Sequence, residues 1–160
     1  MKKHDIIQNK LIKDDELSGK LAYWNFLEKK IVFTNGCFDI IHLGHIKYLA
    51  QAADLGNILV IGLNTDESVK RIKGNSRPLN DQNARAMVLG SLFFVDAIIL
   101  FDENTPLELI KKVKPHTLVK GSDYSENEIV GADVVKSCGG EIVTIDFVEG
   151  YSSSDIIKKL

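Results

Sequence analysis

The sequence predicts a Rossmann-like α/β fold: a doubly wound parallel sheet of five strands in a single domain. From residue 31 onward, short β-branched apolar runs alternate with helical stretches. Such alternation is typical of parallel strands whose two faces are both covered by helices. The chain has 160 residues, 44% hydrophobic and 26% charged, which suits one globular domain with a sizeable core.

The pattern gives each element a position along the chain. Predicted strands cover residues 31–34, 58–63, 97–101, 117–119 and 141–145, and predicted helices cover 16–30, 44–54, 67–72 and 81–93, with two more beginning near residues 106 and 153. Residues 1–15 are polar and are expected to form a loose lead-in. Within the first helix, the candidates for burial are Leu17, Leu21, Trp24, Phe26 and Leu27.

Ligands of open parallel sheets bind beyond the carboxyl ends of the strands, where the strand order reverses. The loops after the first and fourth strands are therefore the predicted location of the site.

Composition excludes some classes of function. The formal net charge is −2, whereas a general nucleic-acid binder carries a basic excess. No apolar run is long enough to cross a bilayer, and no apolar signal core follows the first lysines, so we expect a cytoplasmic protein without membrane contact. Cys37 and Cys138 are far apart and have no CxxC partner, which favours reduced structural thiols.

The strongest motif is the pair His42 and His45, which follows the first strand and opens a helix. The three-residue spacing puts both rings on one face of the first turn, where free N–H groups and the helix dipole favour anions. Gly44 between them removes a side chain where a nucleotide could approach. Two satisfied structural histidines are one alternative. A zinc site is another, but it needs a third ligand, and there is no HExxH motif.

Three further segments carry groups that suit phosphate. Residues 70–77 contain four cations with Gly, Asn and Ser, and indicate either a phosphate-gripping loop or a solvated helix end. Residues 120–124 follow the fourth strand and are either a substrate loop or an ordinary connection. Residues 152–154 are serines that precede the last predicted helix, where hydroxyl groups cap helices and bind phosphate.

Acidic residues near the first two strands are ambiguous. Asp39 could bind substrate or metal, or hold its own loop by accepting from backbone amides. Asp66 and Glu67 follow the second strand, where an acid binds ribose in dinucleotide folds. The chain has neither GxGxxG in the first loop nor GxxxxGK[ST] anywhere, so helix capping is the better interpretation of both.

Residues 35–45 resemble the HxGH signature of the nucleotidyltransferase superfamily. Within it, residues 73–78 (KGNSRP), 118–124 (LVKGSDY) and 152–159 make the chain most similar to the adenylyltransferases of bacterial ADP-heptose synthesis. The resemblance runs from about residue 31 to residue 160. It implies a nucleotidyltransferase domain over 31–160, preceded by a lead-in and helix over 1–30.

The resemblance also implies an activity. AMP would pass from ATP, accompanied by Mg²⁺, to a heptose 1-phosphate, giving ADP-heptose and pyrophosphate for lipopolysaccharide or a related glycan. A separate sugar kinase and a phosphatase would act in the same pathway, and a homo-oligomer is expected. The alternatives are a cytidylyltransferase acting on glycerol 3-phosphate or another small phosphate, and a nucleotide-sensing module without turnover.

Roles follow from the resemblance residue by residue. The predicted catalytic residues are His42, His45 and Lys73, and no metal ligand is expected from the protein. The predicted nucleotide contacts are Asn35, Gly36, Cys37, Phe38, Gly44, Arg85, Ser152, Ser153 and Ser154, and the predicted substrate contacts are Asp39, Arg77, Lys120 and Asp123. Relatives often carry an acid at the position of Asn83, so Arg85 is expected to be held less firmly here.

Overall fold

A computed structural model describes residues 2–146, 148, 150–151 and 156–157. Its centre is one five-stranded sheet in the order β3-β2-β1-β4-β5, and every neighbouring pair is parallel. The strands are β1 (Ile31–Gly36), β2 (Ile58–Asn64), β3 (Ala97–Phe101), β4 (Thr117–Gly121) and β5 (Glu141–Ile145). The order reverses between β1 and β4, which confirms the predicted doubly wound sheet.

Helices cover both faces of the sheet. They are α1 (Lys3–Gln8), α2 (Asp14–Phe26), α3 (Leu43–Ala53), α4 (Asp66–Lys73), α5 (Gln82–Ser91), α6 (Leu107–Val113) and α7 (Ala132–Ser137). A 3₁₀ turn covers Glu126–Glu128, and residues 156–157 are helical. None of the helices in the described ranges combines the length and the apolar character needed to cross a membrane.

Alternating side chains of the strands belong to two separate hydrophobic cores, one on each face of the sheet. Ile31 and Phe33 of β1 point to the face covered by α2, α6 and α7, while Val32 points to the face covered by α3 and α5. All three side chains are fully buried. Burial on both faces explains why the strands are continuously apolar and do not alternate with polar residues.

The first long helix ends earlier than predicted. The burial of Leu17 and Trp24 and the partial burial of Leu21 are confirmed, because these residues follow the i, i+4, i+7 spacing of one helix face. The expected burial of Phe26 and Leu27 is wrong, since they are 83% and 41% exposed. The helix ends at Phe26, and that residue lies about 200° round the axis from Trp24.

The amino-terminal segment is ordered, contrary to the expected loose lead-in. It forms α1 and then runs alongside the outer edge of β3, where Leu11 bridges to Ile98. Ile98 N–H donates to Lys10 O at 2.7 Å, and Ile12 N–H donates to Ile98 O at 2.9 Å. The polar composition of residues 1–15 does not indicate this role, because only residues 10–12 are needed to cover the edge of β3.

We predict that Gly56→Ala destabilises the fold by about 1–3 kcal/mol, because overpacking distorts the connection between α3 and β2. A Cβ atom at Gly56 would lie 2.6 Å from Val32 Cγ2 and 2.7 Å from Lys30 O. Urea unfolding measures the change.

The matched control is Gly19→Ala, where a Cβ atom meets nothing within 4 Å inside α2. It should stabilise the protein by roughly 0.5–1 kcal/mol, since alanine favours helix more than glycine does. Equal effects at both positions would contradict the packing argument.

Candidate functional site

A cleft of about 880 Å³ opens at the carboxyl ends of β1, β2 and β4. It lies at the reversal of strand order, where a parallel sheet leaves a crevice between diverging loops. The predicted site residues that line it are Asn35, Gly36, Cys37, Phe38, Asp39, His42, Gly44, His45, Lys73, Lys120 and Asp123. The structure therefore brings together residues from three separate parts of the chain.

The two histidines of the motif stack on each other. His42 is the N-cap of α3, and its ring lies 3.9 Å from the ring of His45, centroid to centroid, at 25°. Phe38 meets His45 edge to face at 5.3 Å. A Cβ atom at Gly44 would lie 3.0 Å from His42 Nδ1 and 3.3 Å from Tyr151 Cβ, so a larger residue would disturb the rings. The glycine is thus required by the close approach of two aromatic side chains.

Both rings are neutral at pH 7 in the free protein. Burial lowers the pKa of His42. Burial, the neighbouring His42 and Lys73 lower the pKa of His45 to about 4, although a hydrogen bond to the backbone of Ile40 opposes the change. His42 Nδ1 is buried without a hydrogen-bond partner among the described residues. An anion in the cleft would find polar atoms whose hydrogen bonds are not already used.

Lys120 forms the floor of the cleft at the end of β4. Its Nζ donates to Asn35 Oδ1 at the end of β1, and it lies 6.0 Å from the centroid of the Tyr124 ring. Burial lowers the pKa of Lys120 to about 8, although the charge of Asp123 opposes the change. The amine is therefore mostly charged at neutral pH and close to its titration range.

Lys73 is the last residue of α4 and is exposed at the cleft wall. Gly74 follows with φ +96°, a backbone conformation that favours glycine and ends the helix. The positions of Lys70 and Arg71 agree with the surface interpretation, because they pair with exposed Glu67 and Asp102. Of the cations in this segment, Lys73 is the one that lines the cleft.

Arg85 lies beneath the cleft and is only 1% exposed. Its Nη2 donates to Asp66 Oδ1 at 2.7 Å, its Nη1 to Cys37 O at 2.6 Å, and its Nε to Asn80 O at 3.0 Å. The expectation that Asn83 leaves Arg85 poorly held is wrong, because Asp66 supplies the carboxylate. The nucleotide contact of Arg85 stays a prediction, and its present partners give it a supporting position.

Asp39 and Arg77 pair with each other: Arg77 Nε donates to Asp39 Oδ2 at 2.6 Å. Asp39 borders the cleft, whereas Arg77 is not among the described residues that line it. Their predicted contacts with substrate stay predictions. Ser152, Ser153 and Ser154 lie outside the described residues.

The structure adds residues that sequence reasoning missed. Tyr151 covers the histidine pair, with its ring 6.4 Å from that of His42 at 29°. Tyr48 lines the cleft from α3 and bonds Thr34 at 2.8 Å. Buried Asn64 lies at the end of β2 and donates to Ser68. Tyr48 lies one turn beyond the motif and Asn64 at a strand end, so their positions could have indicated them. Tyr151 directly precedes the serines at 152–154, and only that neighbourhood could have indicated it.

Within the described ranges, no group of three His, Cys, Asp or Glu side chains is arranged to hold a metal ion. The expectation that the protein offers no metal ligands of its own stays a prediction.

Comparisons with known proteins identify the family of the chain. The sequence model of the cytidylyltransferase-like family matches residues 33–159. The bifunctional protein HldE of Campylobacter concisus is 59% identical over 133 residues, which are 83% of this chain and 27% of that protein. HldE of Azorhizobium caulinodans is 50% identical over 149 residues, which are 93% of this chain and 31% of that protein. The chain thus spans less than a third of the length of these relatives.

Solved structures share the fold. A lipopolysaccharide core biosynthesis protein from Thermoplasma volcanium is 31% identical, with a TM-score of 0.62 over 78% of this chain and 99% of that one. A pantoate-beta-alanine ligase from Francisella tularensis is 15% identical, with a TM-score of 0.58 over 92% of this chain and 75% of that one, and shows the fold alone. The family match and the HldE relatives together show that this chain is a nucleotidyltransferase and belongs to the cytidylyltransferase-like family.

Proposed function

We propose that this chain transfers AMP from ATP to a heptose 1-phosphate. An oxygen of the sugar phosphate attacks the α-phosphorus, forming one P–O bond. The bond between the α-phosphorus and the bridging oxygen breaks, and pyrophosphate leaves with the electron pair. The products are ADP-heptose and pyrophosphate. HldE relatives at 50–59% identity support heptose metabolism, and the residues of the cleft support the chemistry.

The observation that carries the proposal is the neutral histidine pair at the start of α3. Two stacked imidazoles, a glycine against which the His42 ring packs, and a buried Nδ1 without a partner among the described residues form a place for phosphate oxygens. Neutral His42 can donate one N–H, His45 already has a hydrogen bond to the backbone of Ile40, and the first turn of α3 adds free backbone N–H groups. Lys73 and Lys120 add positive charge from two sides of the same cleft.

The reaction needs no general base from the protein. A phosphate monoester has a second pKa of about 6 and is largely dianionic at pH 7. Catalysis would then come from holding the reactants in line and from stabilising charge on the leaving pyrophosphate. We assign that stabilisation to His42, His45 and Lys73, and acceptor binding to Lys120 and Asp123. Mg²⁺ enters with ATP, held by phosphate oxygens and water.

We predict that incubation with ATP, Mg²⁺ and heptose 1-phosphate gives the mass of ADP-heptose together with pyrophosphate. A matched panel contains CTP with glycerol 3-phosphate, ATP with other sugar 1-phosphates, and ATP alone. Product from CTP and glycerol 3-phosphate but none from ATP and heptose 1-phosphate would overturn the proposal in favour of a cytidylyltransferase. ATP binding without turnover across the whole panel would indicate a nucleotide sensor.

We predict that His42→Ala and His45→Ala each lower the rate about 10²–10³-fold, as removal of a preorganised charge-stabilising donor does. The thermal melt of His42→Ala should stay close to that of the parent, because His42 Nδ1 makes no hydrogen bond to any described residue that the substitution would remove. His45→Ala also removes the hydrogen bond to the backbone of Ile40, so its melt should be lowered more, but its rate should still fall much more than its stability. His4→Ala is the control, since His4 lies exposed in α1. Near-normal turnover in both active-site variants would mean that the pair is structural.

We predict that affinity for the sugar phosphate falls as the pH rises from 7 to 9, by at most roughly tenfold per unit. Lys120, with a pKa of about 8, is mostly neutral above that pH, and a bound dianion favours its charged form. Binding above pH 8 must therefore take up a proton. Lys120→Met should bind more weakly but without this slope between pH 7 and 9. A slope that persists in Lys120→Met would assign the titration to another group.

A further inference from the structure

A buried carboxylate joins two loops at the edge of the cleft. Asp39 is 3% exposed and follows β1, in the loop that leads to the histidine pair. Its Oδ1 accepts from the backbone N–H groups of Leu79 at 2.8 Å and Asn80 at 3.1 Å, and its Oδ2 accepts from Arg77. The Asn80 side chain donates back to Asp39 O at 2.9 Å. Three of about four acceptor positions of the carboxylate are thus occupied by the segment 77–80.

The charge of this group is stabilised where it lies. Burial alone would raise the pKa of Asp39, but hydrogen bonds from Asn80, Arg77 and Leu79 outweigh it and lower the pKa. Asp39 is consequently an anion at neutral pH, with its charge matched by Arg77. A second anion, such as a substrate phosphate, gains nothing from approaching this carboxylate.

Arg85 also holds these two loops together, namely the loop after β1 and the segment 77–80. Arg85 donates to Cys37 O on one loop and to Asn80 O on the other. The segment 77–80 follows Lys73 and Gly74 closely in the chain. The Arg77 N–H donates to Gly74 O at 3.1 Å, which joins the two parts. Lys73 is therefore connected, through residues 74–80, to the loop that carries the histidines.

We propose that Asp39 and Arg77 are positioning residues. Their ion pair fixes residues 73–80, the Lys73 segment, against the histidine loop, which runs from the end of β1 to the histidine pair. Lys73 and the histidines can then act on one triphosphate. This role requires no contact between either residue and the substrate. Arg77, with its side chain 12% exposed, uses Nε on Asp39. This assignment depends on the proposed function in one respect, which is that ATP is the triphosphate that binds.

The experiment compares the parent with Asp39→Asn, Arg77→Gln and the double variant. Hydrogen exchange of peptides covering 74–80 and the affinity for Mg·ATP are measured without any sugar phosphate. Asn at position 39 keeps an acceptor for the backbone but loses the charge, whereas Gln at position 77 leaves both backbone donors in place. We expect each single variant to exchange faster at 74–80 and to bind Mg·ATP roughly tenfold more weakly, and the double variant to be no worse than either, because paired residues are not additive.

Arg71→Gln is the matched control. Arg71 also pairs with an aspartate, Asp102, but on the exposed side of α4, and its loss should change neither measurement. If Asp39→Asn does not fold, Arg77→Gln alone still decides. In turnover assays, KM for ATP should rise while KM for the sugar phosphate stays constant.

Additive losses in the double variant, or a raised KM for the sugar phosphate with unchanged exchange at 74–80, would overturn the assignment and return Arg77 to the substrate. Absence of product from heptose 1-phosphate would overturn the proposed function but leave the exchange result intact. The two failures are therefore distinguishable.

Discussion

The arrangement of the cleft depends on one buried guanidinium. A charge taken out of water destabilises a fold unless it is hydrogen-bonded, and each of the three nitrogens of the Arg85 side chain has a partner, from three different segments. Asp66 begins α4, Cys37 belongs to the loop after β1, and Asn80 precedes α5. Because the guanidinium is planar and its donors are fixed in direction, these three segments keep a fixed mutual position. The histidine loop and the Lys73 segment are both attached to this centre.

The charges of the site are arranged so that the cleft is not strongly cationic. Burial keeps both histidines neutral, and the cation of Arg77 is already matched by Asp39. Lys120 sits close enough to Asp123 to retain most of its charge at neutral pH. The protein can therefore concentrate phosphate-binding groups without the repulsion that several unpaired cations would create. Polar atoms held in position by the surrounding structure also need little rearrangement when a ligand arrives.

The periodic features of the sequence predicted the sheet, because strands buried on both faces are long apolar runs that have few other interpretations. Local motifs likewise placed the histidine pair, Gly44 and Lys120 at one edge, since the carboxyl ends of parallel strands meet there. The contacts of Arg85 and Asp39 were not predicted, for a different reason. Partners distant in sequence decide the position of Arg85 and the pairing of Asp39 with Arg77, which are 38 residues apart. The error at Phe26 is of another kind, because its position about 200° round the helix axis from Trp24 already indicates exposure.

The strand order β3-β2-β1-β4-β5 also has a consequence for the order in which the chain can become a folded protein. During synthesis, β1, β2 and β3 emerge first and can pair with one another, but one edge of β1 then has no neighbour. That edge receives β4 only after more than a hundred residues have been made, and Lys120 meets Asn35 across 85 residues of chain. A ribosome-bound intermediate thus exposes one edge of β1, whose Ile31, Val32 and Phe33 are fully buried in the finished fold, and the floor of the cleft is assembled after the histidine pair and Lys73 have been made.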